Sequence, residues 1–224
     1  MGCIALIPAR SGSKGIPKKN IKHFNGKPLI YWSIKNALNN KNIERVIVST
    51  DSEEIAEIAI SFSAEVPFLR PLHLAKDNTP GIETVKHLLG ELPCIKDILL
   101  LQPTSPLRRR IDIDKIFDLR SKCQSGSAIS LTPCSVHPNL IHEFKESKKI
   151  QSLIKNSIIE NRQSMKKHYA VNGALYLSTR ESIEKYNSLI TPETVGYIMP
   201  EKFSVDIDTP LDWEIAEYLM RKEE

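Results

Sequence analysis

Short apolar runs alternate with amphipathic segments along most of this chain. Residues 3–8 and 45–50 are apolar and β-branched runs too short for helices, and each predicts a buried strand. Between them, apolar positions from Leu29 to Leu38 recur with helical spacing. Because strands and helices keep alternating downstream, the pattern predicts βαβ units and an α/β fold around a mostly parallel sheet.

The same pattern predicts the remaining elements. Further strands are expected over residues 65–69, 98–102, 127–132, 172–177 and 196–199. Further helices are expected from a cap at Asp51 or Ser52, from Thr79 as N-cap and Pro80 as first residue to about residue 90, over residues 111–122, and from Thr209 onward.

Residues 134–170 do not continue this alternation of strands and helices. They are rich in Lys, Asn and Ser and only weakly periodic, which predicts an irregular arm with short antiparallel strands, inserted into a single domain spanning residues 1–224. The alternative is a disordered loop. The arm has too few periodic apolar residues for a core of its own, so an ordered arm is expected to pack on a second copy in a C2 homodimer.

Glycines and cations follow the first strand. Gly12 and Gly15 allow a tight backbone turn close to a ligand, while Arg10, Lys14 and Lys19 supply positive charge. The stretch matches neither a Walker loop nor a dinucleotide fingerprint. It is interpreted as a triphosphate cradle, and the alternative is a flexible basic surface loop.

Two further clusters suggest chemistry. Asp206 and Asp208 alternate before the last helix, a donor set that suits Mg²⁺ beside a nucleotide; the alternative is a solvated acidic turn. Gln102, Thr104 and Ser105 follow a buried strand, and Pro103 and Pro106 fix the backbone that carries them; this suits sugar recognition, although a plain proline turn is the alternative. Ligands bind at strand carboxyl ends in such sheets. One crevice is therefore expected to gather the side chains at those ends, namely Arg10, Asp51, Arg70 and Gln102.

Composition narrows the class of partner. The net charge is +4 with a pI near 8.8, the cations are spread out, and aromatics make up 6%. Nucleic acid would require a denser basic face with stacking aromatics, so a small anionic molecule is expected. The four cysteines form no C-x-x-C pair, and neither a targeting segment nor a membrane span is evident. A cytoplasmic protein is expected.

Four stretches resemble the acylneuraminate cytidylyltransferases, or CMP-sialic acid synthetases. Residues 9–15 and 19–20 fit that family's A-R-x-x-S-K-G and K-N, and residues 102–108 read Q-P-T-S-P-L-R. Residues 70–77 fit R-P…L-A-x-D, and residues 206–208 read D-I-D. The resemblance covers almost the whole chain. It implies a three-layer nucleotide-diphospho-sugar transferase (Rossmann-like) fold with a protruding dimerisation arm.

The resemblance also implies a reaction: transfer of CMP from CTP to the anomeric hydroxyl of a nine-carbon 2-keto sugar acid, such as sialic or legionaminic acid, with Mg²⁺ as cofactor and pyrophosphate released. The resemblance assigns catalytic roles to Arg10, Lys14, Lys19 and Asp208, and it assigns metal binding to Asp206 and Asp208. The resemblance assigns nucleotide binding to Arg10, Ser13, Lys14, Gly15, Lys19, Asn20, Arg70, Thr79 and Gly81. The resemblance assigns sugar binding to Gln102, Thr104, Ser105, Arg162, Gln163, Asn172 and Tyr176.

Two alternatives stay open at the level of sequence. One is a Kdo-type cytidylyltransferase, although the S-K-G and K-N form favours the sialic type. The other is a non-catalytic nucleotide-binding protein on the same fold, against which the intact D-I-D and Lys14 argue.

Overall fold

A six-stranded sheet forms the centre of the computed structural model, which describes residues 2–154 and 166–223. Its strands are β1 (Cys3–Pro8), β4 (Ile43–Ser49), β5 (Asp97–Leu100), β6 (Ser127–Pro133), β9 (Tyr169–Thr179) and β10 (Val195–Ile198). The order is β10-β6-β9-β5-β1-β4, and β9 alone among them runs antiparallel to its neighbours. The mostly parallel sheet that the alternation predicted is confirmed.

Helices cover both faces of this sheet. They are α1 (Leu29–Leu38), α2 (Glu53–Ser61), α3 (Gly81–Glu91), α4 (Arg110–Lys122), α5 (Arg180–Tyr186) and α6 (Pro210–Glu223). Along β1, Ala5 and Ile7 pack into a core with α1, α2, α4 and α6, whereas Ile4 and Leu6 pack toward α3 and α5. A strand buried on both faces is apolar throughout, which is why β1 reads as an unbroken apolar run.

Local caps explain where several helices begin. The Ser52 hydroxyl accepts a hydrogen bond from the Ile55 amide at the start of α2, as predicted. At α6 the Thr209 hydroxyl accepts from the Asp212 amide, and the Asp212 carboxylate accepts from the Thr209 amide. This reciprocal pair is a capping box, and it confirms the predicted start of the last helix.

Two predicted boundaries are wrong. Residues 65–69 form no strand; only Glu65 bridges to β4, at Ile47, because Pro67 offers no N–H to a ladder. Thr79 is not the cap of α3, which begins one residue later than predicted, with extended Pro80 in the N-cap position. The Thr79 hydroxyl instead donates to the His73 carbonyl.

The predicted arm contains short antiparallel strands in its described part. β7 (His142–Phe144) pairs with β8 (Ile150–Ser152), in the connection between β6 and β9. Phe144 is 74% exposed there, and Ile150 and Leu153 are also exposed. A second two-stranded ribbon, β2 (His23–Phe24) with β3 (Lys27–Pro28), precedes α1.

A membrane crossing would need a long apolar helix. Within residues 2–154 and 166–223, the helices lack that combination of length and apolar character.

Candidate active site

A crevice of about 360 Å³ opens at the carboxyl ends of β1, β4 and β5. Parallel strands place the residues that follow them at one sheet edge, so segments distant in sequence meet there. The structure brings every predicted nucleotide-binding residue to the wall of this crevice: Arg10, Ser13, Lys14, Gly15, Lys19, Asn20, Arg70, Thr79 and Gly81. Gln102, Thr104 and Asp208 complete the predicted residues on its wall.

Polar contacts with Asp51 and Asn20 hold the loop that follows β1. The Ser11 amide and hydroxyl donate to the two carboxylate oxygens of Asp51 at 2.9 and 2.6 Å. Burial would raise the pKa of Asp51, but the hydrogen bonds from Ser11 outweigh it and hold that pKa below its ordinary value. The Asn20 amide nitrogen donates to the Arg10 carbonyl at 2.9 Å. Asp51 and Asn20 therefore fix the path of the loop.

The same loop closes on a segment near the other end of the chain. Lys19 Nζ donates to the Ile207 carbonyl at 2.6 Å and to Asp208 Oδ1 at 3.0 Å. Gly15 lies so close that a Cβ at this position would overlap the Asp208 carbonyl oxygen. The Ile207 amide in turn donates to the Thr104 carbonyl at 2.8 Å. Three chain segments thus meet at one seam.

Asp206 and Asp208 remain in part accessible to solvent, whereas Ile207 between them is buried, as their alternation predicted. Partial enclosure of the Asp206 carboxylate by protein raises its pKa, and Asp208 and Asp212 raise it further, against a hydrogen bond with Thr104. A cation between the carboxylates would relieve this repulsion. Asp212 is committed to the start of α6, where it accepts three hydrogen bonds.

The donor set at this seam suits Mg²⁺. That ion is usually held by one or two carboxylates together with substrate phosphates and waters. The described residues contain no cluster of three or more His, Cys, Asp or Glu side chains able to hold a metal. Asp206 and Asp208 thus fit a metal whose remaining ligands come with the substrate, rather than one held in a closed protein cage.

Two cations of the loop share one carboxylate that the sequence analysis did not single out. Asp77 forms ion pairs with Arg10 and with Lys14, the latter at 2.6 Å. Lys14 first and Arg10 second lower the pKa of Asp77. Asp77 is the acid of the L-A-x-D stretch, and that motif is the sequence feature that could have identified it as a site residue. A bound polyphosphate would compete with this carboxylate for both cations.

Arg70 lies deeper in the same wall and is buried. Its Nη1 donates to the Thr84 hydroxyl at 3.1 Å, and its Nη2 lies 3.9 Å from Asp51 Oδ1. Burial lowers the pKa of this guanidinium, although Asp51 partly compensates. Among the residues that the structure describes, none accepts a hydrogen bond from Nε or Nη2.

The predicted sugar-binding residues divide into two groups. Gln102 and Thr104 lie on the crevice wall, and Tyr176 is close enough to Asp206 for that carboxylate to help raise its pKa, after burial. Ser105 does not reach the crevice, because its side chain is fully buried beneath the proline turn. Asn172 is also buried, and its amide is committed to Ser130 and Ser204. The predictions for Arg162 and Gln163 lie outside the described residues.

A cytidylyltransferase family model matches residues 4–222. The chain belongs to the cytidylyltransferase family. The CMP-N,N'-diacetyllegionaminic acid synthase of Legionella pneumophila is 35% identical over 228 residues, covering 98% of this chain and 97% of that protein. The pseudaminic acid cytidylyltransferase of Campylobacter jejuni is 30% identical over 222 residues, covering 97% and 96%. The N-acylneuraminate cytidylyltransferase of Escherichia coli is 33% identical over 98% of this chain and 52% of that protein.

Solved structures of low identity share the fold of this cytidylyltransferase. CMP:2-keto-3-deoxy-manno-octonic acid synthetase complexed with CTP superposes with a TM-score of 0.76 at 17% identity, covering both chains completely. The 4-diphosphocytidyl-2C-methyl-D-erythritol synthase of Anaerococcus prevotii gives a TM-score of 0.68 at 15% identity, covering 98% of each chain. The three-layer nucleotide-diphospho-sugar transferase fold implied by the sequence motifs is confirmed.

The seam at Gly15 yields a test with a matched control. A methyl group at residue 15 overlaps the Asp208 carbonyl, whereas one at Gly12 meets nothing within 4 Å. We expect Gly15→Ala to weaken binding of inorganic triphosphate by ~10-fold or more, since overpacking costs about 1–3 kcal/mol. Calorimetric titration measures the affinity. If Gly15→Ala and Gly12→Ala bind triphosphate equally well, the close approach has no bearing on the cradle.

Proposed function

We propose that this cytidylyltransferase transfers CMP from CTP to the anomeric hydroxyl of a nine-carbon 2-keto sugar acid, releasing pyrophosphate. The observation that carries the proposal is the crevice itself, where a cationic glycine loop contacts the Asp208 carboxylate of the D-I-D segment. Relatives of 30–35% identity bear the names of legionaminic, pseudaminic and acylneuraminic acids. CTP is an intracellular nucleotide, so we propose that the reaction occurs in the cytoplasm.

The chemistry requires positioning and neutralisation of charge. The anomeric oxygen bonds to the α-phosphorus, the bond from that phosphorus to the bridging oxygen of the β-phosphate breaks, and pyrophosphate leaves. Arg10, Lys14 and Lys19 line the crevice and would neutralise the triphosphate and then the leaving pyrophosphate. The sugar hydroxyl gives up its proton to a base at the seam, for which Asp208 is our candidate.

Asp206 and Asp208 would hold Mg²⁺. When bound, the ion supplies charge neutralisation at the phosphate oxygens and lowers the pKa of a hydroxyl beside it. Lys19 already pairs with one oxygen of Asp208 at 3.0 Å, so the ammonium also keeps this carboxylate oriented toward the crevice.

The nucleotide and sugar would occupy opposite ends of the crevice. Ser13, Gly15 and the loop cations surround the phosphates, while Asn20, Arg70, Thr79 and Gly81 surround the base and ribose. Gln102, Thr104 and Tyr176 would contact the sugar. Arg162, with Gln163 beside it, remains our candidate for the sugar carboxylate, because a guanidinium binds a carboxylate through two parallel hydrogen bonds.

The two alternatives are less well supported. The Kdo synthetase shares the fold at 17% identity, whereas relatives named for nine-carbon acids are about twice as similar in sequence. A non-catalytic nucleotide-binding protein would have no need of two carboxylates facing the phosphate loop. Asp208 lies on the crevice wall, and Asp206 is close enough to interact electrostatically with it, so we favour an enzyme.

The exposed apolar side chains of the arm support a homodimer. Phe144 and Ile150 belong to the β7–β8 hairpin, and Tyr169 and Val171 of β9 are exposed as well. We propose that a second copy covers them in a C2 dimer. We expect light scattering at micromolar concentration to give the mass of two chains, and Phe144→Asp with Ile150→Asp to give that of one. A monomeric wild-type protein would refute the proposal.

Pyrophosphate release tests the function directly. The enzyme is incubated with CTP, Mg²⁺ and each of a panel of acids, comprising N-acetylneuraminic, legionaminic, pseudaminic and Kdo. We expect release with a nine-carbon acid and much less with Kdo, UTP or ATP, and mass spectrometry should detect the CMP-sugar. A preference for Kdo would favour the first alternative, and absence of turnover with every acid would favour the second.

The metal assignment has its own test. Asp208→Asn keeps the size of the side chain and removes one charge, so folding should persist while turnover falls by ~100-fold or more, as when a charge-stabilising group is lost. Asp118→Asn, an exposed position on α4, is the matched control and should remain active. Chelation of the wild type should reproduce the loss. Near-normal turnover by folded Asp208→Asn would show that Asp208 holds no essential metal.

A further inference from the structure

A buried guanidinium lies beneath the sugar side of the crevice, and the proposed function gives it no role. Arg108 is fully buried in the turn that follows β5. Burial lowers the pKa of Arg108 to about 9, with partial compensation from Asp112, so the side chain stays charged at neutral pH. Among the described residues, no carboxylate lies within salt-bridge distance of it. A buried cation without such a partner costs stability, so its contacts must explain its presence.

Those contacts join three elements. Arg108 Nη1 donates to the Ala174 carbonyl of β9 at 2.6 Å and to the Gln102 carbonyl at 3.4 Å. Its Nη2 donates to the hydroxyl of Ser33 on α1 at 2.6 Å, and that hydroxyl donates to the Gln102 carbonyl at 3.4 Å. One side chain therefore fixes the backbone after β5 and the backbone of β9 to each other.

The two carbonyls flank the closest approach between these segments. Gly173 precedes Ala174 and has a φ of +73°. A Cβ at Gly173 would lie 2.6 Å from Gln102 Oε1 and 3.4 Å from Asp206 Oδ2. The Gln102 side chain, the Gly173 backbone and the Asp206 carboxylate thus share one tightly packed spot, and Arg108 holds the backbone on both sides of it.

The regular hydrogen bonds of β9 do not hold the backbone at Ala174, so Arg108 is needed to fix it. The β6–β9 register shifts between Ile129 and Leu131, so the regular ladder is interrupted here. Side chains replace it: the Ala174 amide donates to Asn172 Oδ1 at 3.2 Å, and the Leu175 amide donates to Ser130 Oγ at 2.8 Å. Arg108 satisfies the remaining Ala174 carbonyl. Without it, a buried acceptor would lose its donor, and the strand would shift to recover one.

We infer that Arg108 is a positioning residue for sugar transfer, which holds Gln102 and Gly173 at the spacing that presents the Gln102 amide beside Asp206. It acts through these residues and touches neither substrate. The inference rests on the proposed function, because the sugar acid is the ligand that Gln102 would contact. The phosphate loop and Arg70 lie outside this network, so CTP binding should not depend on Arg108.

The test compares three variants. Arg108→Met keeps the length of the side chain and removes its donors, Arg108→Lys keeps the charge and some donor capacity, and Arg120→Met removes an arginine paired with Asp97 away from the crevice. We expect Arg108→Met to lower kcat/KM for the sugar acid by about 10- to 100-fold, the cost of a small misplacement. The Kd for CTP should stay within about twofold of wild type. Arg108→Lys should recover part of the loss, and Arg120→Met should behave as wild type.

Hydrogen exchange of the same proteins gives a readout independent of activity. We expect faster amide exchange in Arg108→Met confined to residues 101–106 and 172–177. If Arg108→Met does not fold, Arg108→Lys tests the inference instead. It should lower kcat/KM for the sugar acid while the Kd for CTP stays unchanged. Equal losses for both substrates, or unchanged exchange in those segments, would overturn the inference. Inactivity of the wild type toward every sugar acid would refute the proposed function instead, and exchange would still decide whether Arg108 holds these segments.

Discussion

A contact between the beginning and the end of the chain makes the crevice a single site. The loop after β1 reaches the D-I-D segment through Lys19, whose ammonium binds the Ile207 carbonyl and the Asp208 carboxylate. Gly15 permits the approach, because a side chain there would overlap the Asp208 backbone. Lys19 Nζ thereby lies 3.0 Å from Asp208 Oδ1, so the cationic loop and the D-I-D segment are in direct contact. Charges that are fixed in advance in this way need no reorganisation during a reaction.

The sheet explains why these segments meet. β1, β4 and β5 run parallel, so the segments after them emerge at one edge and form the wall of the crevice. β9 runs antiparallel beside β5, so its first half, not its end, reaches that edge and carries Gly173 to Asp206. Arg108 then fixes the backbone of this reversed strand to the turn after β5. The segments after β1 and β4 would form the nucleotide side, and the turn after β5 together with β9 would form the sugar side.

Local patterns predicted the features that depend on neighbouring residues. The two-sided apolar run of β1, the Ser52 cap and the Thr209 capping box are all determined within a few positions. The apolar residues within 65–69 favour a strand, but Pro67 offers no N–H to a ladder, and only Glu65 bridges to β4. The burial of Ser105 and Asn172 could not be predicted, because it depends on packing against residues distant in sequence. Asp77 was missed for the same reason, since its ion pairs join segments more than sixty residues apart.

The central claim is that the cationic loop and the D-I-D segment act as one unit. A double-mutant cycle with Lys19→Met and Asp208→Asn tests it most directly, with kcat/KM for CTP as the readout. When two residues act as a unit, removing the second adds little to the loss caused by removing the first. The kcat/KM of the double variant should therefore be about that of the less active single variant. If the two losses instead multiply, Lys19 and Asp208 work independently, and the seam between them would have no part in catalysis.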